Sequence, residues 1–155
     1  MAAGPLGLDV AALTPAPTRM DPTALLGTWS LTRVVHDHRT GERRDVTGTA
    51  TLLGETPARI RWSEAGTMSW PGHEVPVERT LYVDLGADGW SVRFSDGRPF
   101  HPWAVGGWVD HPCAPDHYRG LVEVTGDPVE AWTVTWDVSG PQKDYRMVTV
   151  HDRRC

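Results

Sequence analysis

The feature that most constrains the fold of this sequence is a regular succession of short segments separated by turn residues. Turn signals occur at Pro71-Gly72, in the run 86–89 and at Asp96-Gly97, where glycine, proline and aspartate supply the backbone conformations of tight turns. Several segments between these turns alternate apolar and polar residues, as a half-buried strand does. The sequence therefore predicts an antiparallel all-β protein.

Nine strands are predicted along the chain, with an irregular stretch at 112–116. They cover residues 28–35, 45–53, 58–70, 77–85, 90–95, 99–105, 118–125, 131–138 and 144–152. Short connections and the lack of a long amphipathic helix leave a sandwich or a barrel. The Cys–Trp–Cys core that immunoglobulin-like sandwiches usually carry is absent, and a barrel removes exposed strand edges. We therefore predict a barrel of about 8–10 strands.

The predicted domain organisation is a tail followed by one domain. Residues 1–20 are rich in Ala, Pro and Gly without periodicity and are interpreted as a flexible tail. Residues 21–155 form the single barrel domain, since 155 residues suffice for one ordinary domain. Asp21-Pro22 begins a helical turn that ends at Gly27 and plugs one end of the barrel.

Charge and cysteine usage limit the classes of partner. The net charge of −5 argues against nucleic-acid binding, which needs a basic face. No apolar run is long enough to span a membrane, and no signal peptide is recognised. Cys113 is a lone internal thiol, which indicates the cytoplasm, and Cys155 at the end is expected to be frayed. The expected partner is a small molecule, bound by a monomer or homodimer.

Eight tryptophans are present beside two phenylalanines and three tyrosines. At least half of the indoles are interpreted as core, because a tryptophan needs a packed ring and a paired N–H. The others suit an aromatic-lined pocket in a wide barrel. The predicted ligand-binding residues are Trp62, Trp103, Cys113, Tyr118, Trp136 and Arg79. An inward arginine such as Arg79 would pair with an acid or bind a ligand carboxylate.

Two resemblances support the barrel. The motif Leu26-Gly27-Thr28-Trp29 resembles the Gly-x-Trp entry of lipocalins and other calycins. The resemblance implies that this tryptophan packs at the closed end against an arginine of the last strand, here Arg153 or Arg146. Together with the stretches SDGRPFH (95–101), HPCAPDHY (111–118) and WDVSGPQKDY (136–145), the motif is also similar to the DUF6314 family. That uncharacterised family implies a calycin-like barrel and no particular activity.

Candidate catalytic residues fall between positions 98 and 145. His101 is either an inward acid–base group with a pKa near neutrality or part of a polar core layer. His111 and Cys113 lie in the predicted irregular loop. With His101 they are three possible metal ligands, although the spacing matches no zinc pattern and no metal is predicted. Cys113 is otherwise a nucleophile or an inert thiol.

The remaining candidates are Asp116, Lys143 and Tyr145. Asp116 either caps its loop or orients His111 or His101 as a carboxylate partner. Lys143 and Tyr145 point the same way along a strand, so they form either an oxyanion or phenolate pair inside the barrel or an ordinary surface turn.

Three functions fit these residues. The favoured hypothesis is a cofactor-independent enzyme of cyclase or isomerase type, which uses acid–base chemistry to cyclise, isomerise or hydrolyse a compact apolar or aromatic metabolite. The second is a non-catalytic carrier or sensor, with a haem-binding variant through His101 or His111. The third is a structural protein whose interior is filled by its own side chains.

Overall fold

The computed structural model describes residues 20–153. Apart from Met20, the predicted tail lies outside the described residues, and so does Cys155. The chain begins with a short 3-10 turn at Pro22–Leu25, capped by the Asp21 side chain, which accepts a hydrogen bond from the Thr23 backbone N–H. This turn is where the Asp-Pro pair predicts it.

Ten antiparallel strands follow, and each pairs with its sequence neighbour or, for the first and last, with each other. They are β1 (Gly27–Asp37), β2 (Arg43–Thr56), β3 (Arg59–Trp70), β4 (His73–Gly86), β5 (Gly89–Phe94), β6 (Pro99–Pro102), β7 (Val109–Cys113), β8 (Asp116–Thr125), β9 (Ala131–Gly140) and β10 (Lys143–Arg153).

The strands form one sheet in the order β6-β5-β4-β3-β2-β1-β10-β9-β8-β7. This sheet curls into a nearly closed barrel whose two edges, β6 and β7, face each other at a seam. His111 on β7 spans the seam, where its ring Nδ1–H donates to the carbonyl oxygen of Phe100 on β6 at 2.8 Å. The predicted all-β barrel is confirmed, and its ten strands fall within the expected number.

One strand was missed by the sequence pattern. Residues 112–116 were predicted to be irregular, but β7 runs to Cys113 and pairs in register with β8. The prediction is wrong for residues 112, 113 and 116 and holds for the turn at 114–115. Pro112 is tolerated because it lies in an edge strand, where a missing backbone N–H costs no ladder hydrogen bond on the unpaired side.

The end of the barrel at Trp29 is closed by packed aromatic rings. Trp29 is fully buried, and its indole N–H donates to the Leu25 carbonyl oxygen at 2.8 Å. The guanidinium of Arg153 lies 3.9 Å from the centre of the Trp29 ring. Of the two arginines that the calycin resemblance offered, Arg153 therefore takes this position, whereas Arg146 pairs with Asp137.

The residues Trp29, Trp132 and His151 are called the closed end below. Trp132 packs edge-on against Trp29 with 6.0 Å between ring centres, and its other face stacks on His151 at 3.5 Å. No helix within residues 20–153 has the length and apolar character needed to cross a membrane.

Candidate functional site

A cluster of charged side chains lies inside the barrel, above the closed end. The Glu64 carboxylate on β3 accepts from Arg33 on β1 at 2.8 Å and from Arg79 on β4 at 3.1 Å. It also accepts from the Trp62 indole N–H at 3.1 Å. Arg33 in turn donates through Nε to the Thr149 hydroxyl on β10 at 2.7 Å. We call Arg33, Glu64 and Arg79 the interior charge cluster.

Strand register brings this cluster together. Glu64 is the direct cross-strand partner of Arg79, and Arg33 is that of Thr149. Directly opposite side chains lie on the same face of an antiparallel sheet. Glu64 follows Trp62 by two residues, so it shares the inward face of β3 with the core indole.

The cluster is ionic despite its burial. Burial by itself raises the pKa of the Glu64 carboxyl, but Arg79 and Arg33 outweigh it and hold that pKa below its usual range. Burial also lowers the pKa of the Arg33 guanidinium, an effect that Glu64 partly offsets. Arginine has so high an ordinary pKa that it keeps its proton, so the cluster carries two positive charges and one negative charge at neutral pH.

A cavity of about 190 Å³ lies beside the cluster, between β1 and β4. Arg33, Glu64, Glu78 and Arg79 contribute its polar surface. Its apolar walls come from Leu31, Val46, Ala65, Gly66, Met68 and Val77. Such a combination of apolar walls and a few fixed polar groups is the usual composition of a small-molecule site.

Two glycines help to keep this part of the barrel hollow. Gly48 on β2 and Gly66 on β3 are cross-strand partners. A Cβ on either one would collide with the backbone of the other strand, so only glycine permits this close approach. The pair lies in one row with Leu31 on β1 and Val77 on β4. Gly66 itself lines the cavity, so no side chain projects into the cavity from that position.

The opposite wall is filled by aromatic rings. Phe100 on β6 stacks on Trp136 of β9 at 5.0 Å and on Phe94 of β5 at 4.4 Å. The Trp136 indole itself lies over Gly120 of β8, where a Cβ would be 2.7 Å from the ring. The barrel is thus solid on the β5–β9 side and hollow on the β1–β4 side.

A second, open pocket reaches the cluster from outside the barrel. Strand β4 extends beyond β5, whose pairing with it stops at Leu81↔Phe94. The resulting gap has a volume of about 690 Å³, and both Glu64 and Arg79 line it. Arg79 therefore lies between this side opening and the interior cavity, and its side chain is 35% exposed.

His101 faces inward, as predicted, but its chemistry differs from the expectation. Its ring Nδ1–H donates to the Pro102 carbonyl oxygen at 2.8 Å, and the ring packs on Trp136 at 5.2 Å. Burial lowers the pKa of His101 to about 4, so the predicted pKa near neutrality is wrong. The space inside the barrel at His101 is only about 10 Å³, which is the size of one water molecule.

Four predicted residues form a separate group at the rim opposite the closed end. Lys143 donates to the Tyr118 hydroxyl at 2.8 Å and pairs with the Asp116 carboxylate at 3.1 Å. Burial, with Tyr118 close by, raises the pKa of the Tyr145 phenol. Asp116 therefore pairs with Lys143, and the expectation that it orients His101 or His111 is wrong.

The remaining predicted residues are dispersed. His111 closes the seam, and Cys113 is exposed at the turn between β7 and β8. Trp103 is buried away from the cavity, where its indole N–H donates to the Met20 carbonyl oxygen at 2.7 Å. Within residues 20–153, no group of three His, Cys, Asp or Glu side chains is placed to hold a metal ion.

Of the predicted ligand-binding residues, Trp62, Trp136 and Arg79 lie in the interior layer of the charge cluster. Sequence reasoning missed Glu64 and Thr149. A signal for Glu64 was present, because it continues the alternating series Ile60, Trp62 on the inward face of β3. An acid in such a stripe indicates a buried, paired carboxylate.

The family of the chain follows from a match over residues 25–153, which cover the described barrel almost completely. The chain belongs to DUF6314, a family of unknown function. All four stretches that resemble this family, at 26–29, 95–101, 111–118 and 136–145, lie within the matched range. No curated protein sequence matches this DUF6314 member.

Solved structures with a similar fold are distant in sequence. The S-type phycobiliprotein lyase CPES of Guillardia theta is 10% identical, with a TM-score of 0.66, over 94% of this chain and 93% of that one. A redesigned β-barrel, mFAP0, bound to DFHBI is 16% identical, with a TM-score of 0.46, over 84% of this chain and 99% of that one. At these identities the likeness concerns the fold alone.

Proposed function

We propose that this DUF6314 member binds a compact, largely apolar small molecule inside the barrel, in the cavity between β1 and β4. The observation that supports this proposal most directly is the hollow beside the interior charge cluster. Its apolar walls would hold the body of the ligand, and the cluster would orient the polar end. The fold shared with a lyase named for phycobiliproteins is compatible with such a role.

The charge cluster itself favours a binding role over a purely structural one. Burying two guanidinium groups and a carboxylate carries a desolvation cost that often cancels their attraction, so apolar residues would stabilise the barrel at least as well. A barrel with a purely structural role would therefore gain no stability from such a cluster.

Binding without turnover is favoured over acid–base catalysis. Two buried groups could act as an acid or a base here. Glu64 lines the cavity and has its pKa held below its usual range, and His101 lies in the adjoining interior layer with its pKa lowered to about 4. An efficient general acid or base has a pKa near the working pH. The enzyme hypothesis, with Asp116, Lys143 and Tyr145 as further participants, stays a prediction without support from this geometry.

A haem-binding variant is not favoured either. His101 faces a space of about 10 Å³ inside the barrel, and the cavity of about 190 Å³ suits a far smaller ligand. Each barrel contains a complete cavity, so a monomer or a homodimer would serve equally. The cytoplasmic location stays a prediction from cysteine usage.

The experiment that tests the proposal fills the cavity. Val77 lines it, so Val77→Trp should occupy the space and weaken binding at least about tenfold. The probes are 2-naphthoate, cinnamate and decanoate with their primary amides, and the readout is isothermal titration calorimetry supported by quenching of tryptophan fluorescence. Glu123→Trp adds the same ring at an exposed position of β8 and serves as the control.

Binding that survives Val77→Trp would place the ligand elsewhere and overturn the proposal. So would a wild-type protein that binds none of the probes. The expected result is binding by the wild type and by Glu123→Trp, and its loss in Val77→Trp alone.

A further inference from the structure

The interior charge cluster carries one more positive than negative charge, and this imbalance identifies the chemistry of the ligand. We propose that the natural ligand carries a single carboxylate and that Arg79 binds it, an inference that rests on the proposed function. Arg33 and Glu64 would hold Arg79 in place, and the apolar cavity walls would take the rest of the molecule.

The charge count supports a ligand with one negative charge. Inside the barrel, Glu64 neutralises one of the two guanidinium groups, Arg33 or Arg79, and leaves one uncompensated. Glu78 also borders the cavity but is exposed to solvent, where its charge is screened. An anion that enters the cavity removes an imbalance that is costly in a low-dielectric interior. A phosphate monoester, with close to two negative charges, would overcompensate it.

Arg79 is the member of the cluster that a ligand can reach. The Arg33 side chain is 12% exposed and donates to both Glu64 and Thr149. The Arg79 side chain is 35% exposed and borders the cavity, the side opening and the layer at His101. It contacts Glu64 through one nitrogen, Nη2.

Arg79 also has a hydrogen-bond donor that no acceptor within residues 20–153 satisfies. Its Nε atom is buried and has no hydrogen-bond partner among residues 20–153. A buried N–H without an acceptor costs about 1–3 kcal/mol. A ligand oxygen beside Nε would accept this hydrogen bond and remove that cost. The planar fork of a guanidinium matches the two oxygens of a carboxylate, which a lysine ammonium does not.

Glu64 acts as a positioning residue in this arrangement. Its two oxygens accept from Arg33, Arg79 and Trp62, which leaves little capacity to receive a donor from the ligand. It therefore fixes the angle of the Arg79 guanidinium and keeps the net charge at one. The same carboxylate disfavours a ligand with two acidic groups, because the second would approach Glu64.

The test compares each carboxylate probe with its own primary amide, which has nearly the same shape and no charge. We expect wild-type protein to bind 2-naphthoate at least about tenfold more tightly than 2-naphthamide. Arg79→Gln should abolish this preference by weakening binding of the acid at least about tenfold, and its circular-dichroism spectrum shows whether the variant is folded. Arg79→Lys, which keeps the charge and loses the fork, should give an intermediate preference.

Arg61→Gln is the matched control, since Arg61 is exposed on β3 and pairs with Glu55 outside the barrel. It should leave both affinities unchanged. Equal binding of acid and amide by the wild type would overturn the carboxylate assignment and leave the proposed cavity intact. The same conclusion follows if 2-naphthyl phosphate binds more tightly than 2-naphthoate, or if the acid preference survives Arg79→Gln. Failure of every probe to bind would overturn both proposals.

Discussion

The two halves of the barrel interior are built on the same alternating strands and are packed in opposite ways. At the closed end, Trp29 packs edge-on against Trp132, Trp132 stacks on His151, and all three side chains are buried. Further along the same strands, towards the opposite rim, the cavity lies beside the Gly48–Gly66 pair and the interior charge cluster. Alternation therefore decides which side chains face inward, whereas their size and charge decide whether the interior is core or site.

The buried polar groups of the two halves differ in the same way. His151 at the closed end is a neutral ring, since burial lowers its pKa to about 4. Glu64 in the hollow half stays ionised because two arginines contact it. A neutral group can be sealed by stacked rings, while an ion needs partners that occupy the interior and keep it polar.

Removing a ring from the closed end should have the largest effect. Trp29 is fully buried, so Trp29→Ala should lower the free energy of unfolding by about 3–5 kcal/mol, measured by chemical denaturation. Trp108 is 42% exposed, and Trp108→Ala should change that free energy by only about 0.5 kcal/mol. Comparable losses in both variants would show that the closed end is not the main source of stability.

Stability should also fall between pH 6.5 and pH 4. Burial lowers the pKa values of His101 and His151 from 6.5 to about 4, so the unfolded chain takes up protons first as the pH falls. Their contribution is therefore complete above pH 6.5 and lost towards pH 4, by about 3 kcal/mol for each ring.

Denaturation curves across this pH range measure the slope. His151→Gln should reduce it by about 1.4 kcal/mol per pH unit, the value for one proton. Trp108→Ala removes an exposed ring that does not titrate and should leave the slope as in the wild type. An unaltered slope in His151→Gln would mean that the closed end admits water.

Glu64→Gln should cost less, about 2 kcal/mol, because Arg79 is partly solvated and the amide keeps one acceptor. The pKa of Glu64 is lowered in the folded state, so its contribution is present above the ordinary glutamate range and lost as the pH falls through the folded value. Chemical denaturation at neutral and acidic pH should therefore give a difference between wild type and variant that shrinks in acid. A constant difference would argue that the charge of Glu64 is irrelevant.

The smallest effect is expected at the seam. His111→Phe keeps a ring beside Phe100 and removes the hydrogen bond across β6 and β7, which should cost about 1 kcal/mol. Hydrogen exchange should quicken for the backbone amides of these two strands while those at the closed end stay protected. Uniformly faster exchange would show that the barrel opens as one unit instead.

Much of the fold could be predicted from the sequence because its information is local. The turn at Asp96-Gly97 and the alternation along β1 can each be recognised from a few consecutive residues. The partner of Trp29, Arg153, could be proposed only through the resemblance to calycins. Strand β7 was not recognised because Pro112 within it and Pro115 just after it favour an irregular loop, and only its position at the sheet edge makes Pro112 acceptable.

The candidate site was less accessible because it depends on register. His101, Cys113 and Lys143 lie in one motif-rich stretch of the sequence. In the barrel, however, His101 lies in the interior, Lys143 at the rim and Cys113 at the surface. Glu64, by contrast, is in an unremarkable segment and meets Arg33 only because β1, β2 and β3 pair in a particular alignment. Residue type marks a candidate, but cross-strand pairing decides what it contacts.

The pairing of β1 with β10 has a mechanical consequence. The chain enters β1 and leaves β10 side by side at the closed end, where Trp29 is the cross-strand partner of Arg153. Tension applied between these two points would load the hydrogen bonds of an antiparallel pair one after another, from that end upward. We therefore expect the barrel to peel open at low force from its most tightly packed end, with the cavity half the last to yield.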